Sequence, residues 1–276
     1  MDAMPDAADP TIGVFDSGVG GLTVARAVLA RVPRARLVYL ADTAHVPYGP
    51  RPLAQVRDFA VQIIAFLFGQ GADAVVMGCN MSSAAGAHTV ATARFSRPVF
   101  EVIGPGSAAA CAATRSGAIG VIATQGTVHS GAYGRALRAC GATQVREQAC
   151  PAFVPLVERG VSDGPEVEAA VTAYLTPLRD AGMDTLVFGC THYPFLRAPI
   201  ARFLGPDVTL IDPAEFVARQ VETLFGAGAA PPDPARHRFF SSGDPESLRR
   251  EGERFLGLPL PRVTRVDVPV ERAVEA

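Results

Sequence analysis

The 276-residue chain contains no lysine, and all of its 25 Lys and Arg positions are arginine. Pyridoxal enzymes hold their cofactor as a Schiff base on lysine, and P-loop enzymes need a lysine on the bound phosphates. Both classes are excluded. Long apolar runs are also missing: none approaches the roughly 20 residues of a membrane span, and residues 1–10 are acidic without a signal-peptide core. The expectation is a cytoplasmic chain with no membrane partner. A formal net charge of -2 and the lack of a polybasic stretch leave no electrostatic footprint for direct nucleic-acid binding. Cysteines number only five, an odd count that argues against a disulfide framework, and no C-x-x-C pair suggests structural zinc.

What is present is a repeat. Gly71-Ala72-Asp73-Ala74-Val75-Val76-Met77-Gly78-Cys79 is echoed by Gly182-Met183-Asp184-Thr185-Leu186-Val187-Phe188-Gly189-Cys190. Each copy reads as a buried strand ending abruptly in a thiol. Ile12-Gly13-Val14 and Ile119-Gly120-Val121 match in the same way, each at a similar spacing from its own cysteine. The chain therefore reads as two copies of one α/β unit.

Strands are expected over 11–15, 37–41, 74–77 and 185–188, with one more from 118. Helices are expected over 22–31, 51–69, 83–93 and from about 130. Such alternation predicts mostly parallel sheets with right-handed crossovers, in two pseudo-symmetric three-layer α/β domains. The first domain is expected to comprise 11–103 and 213–265, the second 104–212, with tails at 1–10 and 266–276. Gly104-Pro105-Gly106 and Asp212-Pro213 read as the crossings, and 226–234 as a loop. Reactive groups in such sheets gather at the carboxyl ends of strands. Asp16, Asp42, Cys79, Thr124, Cys190 and Asp212 all take that position, which predicts an active site in the interdomain cleft.

A free cysteine is usually a small buried hydrophobe, and Cys111 and Cys140, in alanine-rich helical contexts, are read that way. Cys79 and Cys190 are read differently. Each follows a glycine at a strand tip and precedes a polar residue, Asn80 or Thr191. Cys150 stays open. His192, two residues beyond Cys190, can tune that thiol and carry its proton, whereas His45, His88, His129 and His237 read as structural or surface residues. Zinc on Cys79, Cys190 and His192 would match no usual ligand spacing, so no metal site is expected.

The loop from Asp16 to Thr23 follows a strand and opens a helix, which invites a dinucleotide-binding reading. Two features oppose it: Thr23 fills the third small position, and the loop begins with a carboxylate that would face phosphates. Asp16 fits better as a group that orients a proton beside a thiol, or as a helix cap. Two thiols from two similar halves suit removal of a proton from one face of a carbon and return of one to the other. This is stereoinversion without pyridoxal.

At this point a family resemblance appears. Asp16-Ser17-Gly18-Val19-Gly20-Gly21-Leu22, Pro47-Tyr48-Gly49, Cys79-Asn80, Ala123-Thr124-Gln125-Gly126-Thr127, the stretch from Cys150 to Glu158, and Gly189-Cys190-Thr191-His192-Tyr193-Pro194 resemble, in order, the signatures of glutamate racemases. The resemblance implies cofactor-independent interconversion of L- and D-glutamate, supplying the D-isomer for peptidoglycan and hence cell-wall biogenesis and cell shape. It places Cys79 and Cys190 on opposite faces of the substrate, with Asp16 supporting the first and His192, assisted by Glu158, the second. Ser17, Tyr48, Gly49, Asn80, Met81, Thr124, Thr127 and Thr191 match substrate-holding positions, together with Asp16 and His192. A homodimer is the expected assembly. The family usually reads Cys-Asn-Thr-Ala where this chain has Cys79-Asn80-Met81-Ser82. The missing hydroxyl keeps two alternatives open: a racemase for aspartate or another amino acid, and a weakened relative retained for binding.

Overall fold

The computed structural model describes residues 9–228 and 234–268. Most of the two expected tails, and 229–233 of the expected loop, lie outside the described residues. Among the described residues ten strands form two sheets: β1 Thr11–Asp16, β2 Arg36–Ala41, β3 Ala74–Met77, β4 Val99–Phe100, β5 Ala118–Ala123, β6 Gln144–Ala149, β7 Thr185–Gly189, β8 Thr209–Ile211, β9 Arg238–Ser241 and β10 Val263–Arg265. The first sheet runs β10-β9-β2-β1-β3-β4 and the second β6-β5-β7-β8. Every pairing is parallel.

The order β2-β1-β3-β4 recurs as β6-β5-β7-β8, so the sequence repeat is a repeat of topology. Its packing repeats as well. A Cβ on Gly13 would lie 3.1–3.2 Å from Val75, Ala72 and Leu67, and one on Gly120 would meet the corresponding Leu186, Met183 and Leu178. In both halves a glycine on the central strand lets a crossover segment lie close against the sheet. The repeated aspartates secure the opposite end of each unit. Asp73 Oδ2 accepts the Thr11 amide at 2.8 Å, and the Asp184 carboxylate accepts the amides of Arg115 at 2.8 Å and Ser116 at 2.7 Å.

Both faces of both sheets are covered, which is why the central strands read as unbroken apolar runs. On the first sheet, Phe15, Val38, Leu40 and Met77 face the helices Leu53–Gly69 and Ala87–Arg94. Ile12, Val14, Leu37 and Tyr39 face the helices Leu22–Arg31, Pro213–Phe225 and Pro245–Leu256. That cluster continues into the second half through Phe153, Leu186 and Phe188, so the two sheets share a core on the side of the cleft.

Two expectations need correction. The helix read over 83–93 is two helices, Asn80–Ala84 and Ala87–Arg94, because Gly86 adopts φ 75° and turns the chain between them. The helix expected from about 130 is Ala132–Ala139, and Gly131, at φ 63°, separates it from a preceding short helix, Gln125–Ser130. Cys111 and Cys140 are not packed thiols: they are joined in a disulfide with a Cα–Cα distance of 6.3 Å. The bridge ties the helix Ile103–Ala113 to the C-cap of Ala132–Ala139, where small alanine side chains let the two elements approach. Cys79, Cys150 and Cys190 are the free cysteines among the described residues.

Candidate active site

The carboxyl ends of the two sheets meet at a cavity of about 310 Å³. Asp16, Ser17, Tyr48, Gly49, Cys79, Asn80 and Met81 line it from the first sheet's side. Thr124, Thr127, Glu158, Cys190, Thr191 and His192 line it from the second. Two of the six strand-tip residues stand apart from it. Asp42 is buried behind the loop 43–49, and Asp212 caps the helix Pro213–Phe225 through the Ala214 amide at 3.0 Å.

Cys79 follows β3 by two residues and opens the helix Asn80–Ala84 as its N-cap. It is 4% exposed, and burial pushes its thiol up to about 12, with the Asp16 charge adding to the effect. The hydroxyl and amide of Ser82 and the amide of Ser17 act in the other direction by bonding the sulfur. Ser82 Oγ is fully buried with no hydrogen bond of ordinary geometry, and the Cys79 thiol is the group its hydroxyl acts on. Asp16, the last residue of β1, has its carboxyl raised by burial, against the opposing influence of the His192 charge and the hydrogen bond with Cys79. Its Oδ2 accepts the amides of Gly21 at 3.0 Å and Gly18 at 3.3 Å. The carboxylate therefore folds the glycine loop onto itself and occupies the place where a dinucleotide's phosphates would sit.

The second thiol has a different environment. Cys190 Sγ lies 3.9 Å from His192 Nδ1, and His192 Nε2 lies 3.2 Å from Glu158 Oε1. Burial works against a charged imidazole, but the bonds to Cys190 and Glu158 outweigh it and raise His192 to about 10. The ring is also pinned edge-on against Phe255. Glycine at position 20 is required here, since a Cβ would stand 2.1 Å from Thr191 Oγ1 and 2.6 Å from the His192 ring. Thr23 completes the seam by donating its hydroxyl to Gly20 O at 2.8 Å and Thr191 O at 3.1 Å.

The roof is equally tight. A Cβ on Gly126 would lie 2.6 Å from Gly49 O and 2.9 Å from Met81 Sδ, so the loops of the two halves touch over the cavity. The Tyr48 hydroxyl donates to Asp42 Oδ2 at 2.6 Å. Asp42 also accepts from Ser242 at 2.6 Å and bonds His45 Nδ1 at 2.8 Å, which fixes the loop. His45, read as structural or surface, thus anchors a cavity wall. Among the described residues, no group of three or more His, Cys, Asp and Glu side chains is placed to hold a metal ion. No helix among them is long and apolar enough to cross a membrane.

The comparisons with known proteins agree with this arrangement. The family model for Asp/Glu/Hydantoin racemases matches residues 22–221. The glutamate racemase of Beutenbergia cavernae is 48% identical over 280 residues, covering 95% of this chain and 94% of the relative. This chain belongs to the glutamate racemase family. The relative from Parafrankia sp. is 46% identical over 93% of each chain. Among solved structures, glutamate racemase isoform RacE1 of Bacillus anthracis superposes with a TM-score of 0.87 at 38% identity, covering 96% of this chain and all of the other. The Francisella tularensis enzyme, solved in complex with D-glutamate, gives 0.85 at 31% identity over 96% of this chain and 100% of its own.

Several cavity residues were not singled out in the sequence. Cys150, left open, is buried and lines the cavity; burial and the nearby Cys190 push its thiol well up. Its signal was present in the Cys150-to-Glu158 motif. Gly18, Val46, Pro47, Gln125, Pro151 and Val154 also line the cavity. All but Val46 lie within the motifs that carry the family resemblance.

Proposed function

We propose that this chain is a cofactor-independent racemase that interconverts L- and D-glutamate with Cys79 and Cys190 as its two bases. The observation that carries the reading is that both thiols line one cavity from opposite sheets, each with its own proton partner. The names of the relatives, and the D-glutamate bound in the Francisella tularensis structure, support glutamate as substrate.

In one direction a thiolate on one side takes the α-proton, and the C–H electron pair stays on the carbon, delocalised into the adjacent carboxylate. The thiol on the other side then donates its proton to the opposite face. No net oxidation occurs, and the two sulfurs end with exchanged protonation, so each turnover leaves the enzyme ready for the mirror-image substrate. Asp16 is the group that exchanges a proton with Cys79, and the His192–Glu158 pair the group that exchanges one with Cys190. Thr124, Thr127, Thr191, Ser17 and Asn80 supply donors for the substrate carboxylates, and burial strengthens each of these bonds. The reading carries with it a cytoplasmic homodimer that supplies D-glutamate to peptidoglycan.

Met81 favours a second reading. Its thioether lines the cavity where the family usually has a hydroxyl, and losing one hydrogen bond to a charged carboxylate costs about 1.5–3 kcal/mol. That loss would favour another amino acid. Incubation with L-glutamate and then L-aspartate in deuterated water, following optical rotation and α-deuterium, decides between them. Racemisation of glutamate that disappears in both Cys79→Ser and Cys190→Ser is the expected result. Turnover of aspartate alone would establish the second reading, and activity that survives loss of one thiol would defeat the two-base mechanism.

A further inference from the structure

Tyr133 is fully buried on the helix Ala132–Ala139, in the half of the molecule that carries Cys190. Its hydroxyl crosses to the other half and donates to Asn80 Oδ1 at 2.7 Å. Its ring lies against Gly189, where a Cβ would come within 3.0 Å of Cε2. Asn80 directly follows Cys79 and Gly189 directly precedes Cys190. One side chain therefore touches the neighbour of each thiol.

The chemistry of an amide gives this contact a consequence. Asn80 has one end that accepts hydrogen bonds and one that donates, and the two ends have nearly the same shape. A buried phenol that stays protonated, as burial ensures for Tyr133, binds the oxygen end by donating to it. The NH2 end is then left for the cavity, which Asn80 lines. Without the hydroxyl, both orientations become accessible, and one of them points an oxygen at an anionic substrate.

We infer that Tyr133 is a positioning residue, which turns the Asn80 amide so that its NH2 meets the substrate carboxylate and spaces the two thiol-bearing strand tips through its contact with Gly189. This rests on the racemase reading above. Tyr133→Phe keeps the ring and removes the hydroxyl. The expected result is a KM for both glutamate enantiomers raised about tenfold, the effect of one hydrogen bond, with kcat falling less and the melting temperature nearly retained. In an Asn80→Ala background the same substitution should raise KM no further, because the contact through which it acts is gone.

Asn80→Asp supplies a second variant: it keeps an acceptor for Tyr133 but has no NH2, and should bind glutamate at least as weakly as Asn80→Ala. An unchanged KM in a folded Tyr133→Phe enzyme, fold-changes that multiply in the double variant, or wild-type affinity in Asn80→Asp would each overturn the inference. Calorimetric Kd values for D-glutamate are read alongside. A wild-type chain that binds glutamate without racemising it defeats the functional reading and still tests Tyr133.

Discussion

Replacing Gly20 by alanine tests whether the glycine loop exists to seat the Cys190 segment. The added Cβ would lie 2.1 Å from Thr191 Oγ1 and 2.6 Å from His192 Cε1 and Nδ1. Neither neighbour is a loose chain end. His192 is held by Glu158 and by the edge of Phe255, and the Thr191 carbonyl is held by Thr23. To reach an ordinary contact of 3.4 Å, the imidazole must retreat by about 0.8 Å. Overpacking of this kind costs about 1–3 kcal/mol, and a catalytic group displaced by about 1 Å loses about 100-fold in rate. Racemisation followed by circular dichroism should therefore show kcat/KM reduced about 100-fold in both directions, since the proposed mechanism uses both thiols in every turnover. Thermal unfolding should show a melting temperature several degrees lower. Gly18→Ala serves as the stability control: its Cβ would meet nothing within 4 Å, and its melting temperature should stay near wild type. A Gly20→Ala enzyme that melts and turns over like wild type would refute the argument.

Two further outcomes follow from the same geometry. Cys79, pushed up to about 12 by burial and by Asp16, should react slowly with iodoacetamide at pH 8 and faster as pH rises, and Ser82→Ala should slow it further by removing a donor to the sulfur; peptide-resolved mass spectrometry reads this directly, and an unchanged rate in the variant would exclude Ser82 as that donor. Asp184 loses something to burial, but its bonds from Thr114 and from the Ser116 and Arg115 amides hold its carboxyl well below the usual range. A carboxyl lowered on folding contributes stability that is present above its unfolded value near 3.8 and is lost as pH falls toward its folded one. Because these bonds are largely exposed, Asp184→Ala should cost only about 1–2 kcal/mol in urea unfolding at pH 7, and less at pH 3; an equal cost at both would contradict the assignment.

How much of this was legible in the sequence depended on where each element is buried. β1, β3, β5 and β7 are covered on both faces, so they stand out as apolar runs bounded by turns. β6, Gln144–Ala149, is an edge strand of largely polar residues, and its sequence carries no apolar period to mark it. β4 and β8 have two and three residues and are too short to show any period. Most of the residues lining the cavity were legible because they lie in or beside a loop that directly follows a strand, where chain order and spatial order coincide; Glu158, at the end of the helix Phe153–Glu158, was reached only through the family resemblance. Tyr133, Ser82 and the Cys111–Cys140 bridge were not, for one shared reason. Each acquires its meaning from a partner on another turn or another element, and an alanine-rich helix looks the same with or without that partner.

The duplicated fold also explains why the two thiols are equivalent in position and different in chemistry. β3 and β7 are topological counterparts, and each delivers a Gly-Cys tip to the same cavity, which both thiols line from different sheets. The partners come from loops that the repeat does not constrain. On the Cys79 side the neighbour is a second acid, Asp16, and burial raises both groups together. Two buried acids in contact cannot both ionise cheaply, so a charge on one raises the other further. On the Cys190 side the neighbour is a base, and the charge on His192 is supported by Glu158 as well as by the thiol. In the proposed mechanism, Cys79 thus exchanges its proton beside a carboxyl group raised by burial, and Cys190 beside an imidazole. Racemisation requires the two directions to balance only over the full cycle, because the enantiomers have equal free energy. Unlike partners are therefore compatible with the proposed chemistry, provided that each can support its own thiol in either protonation state.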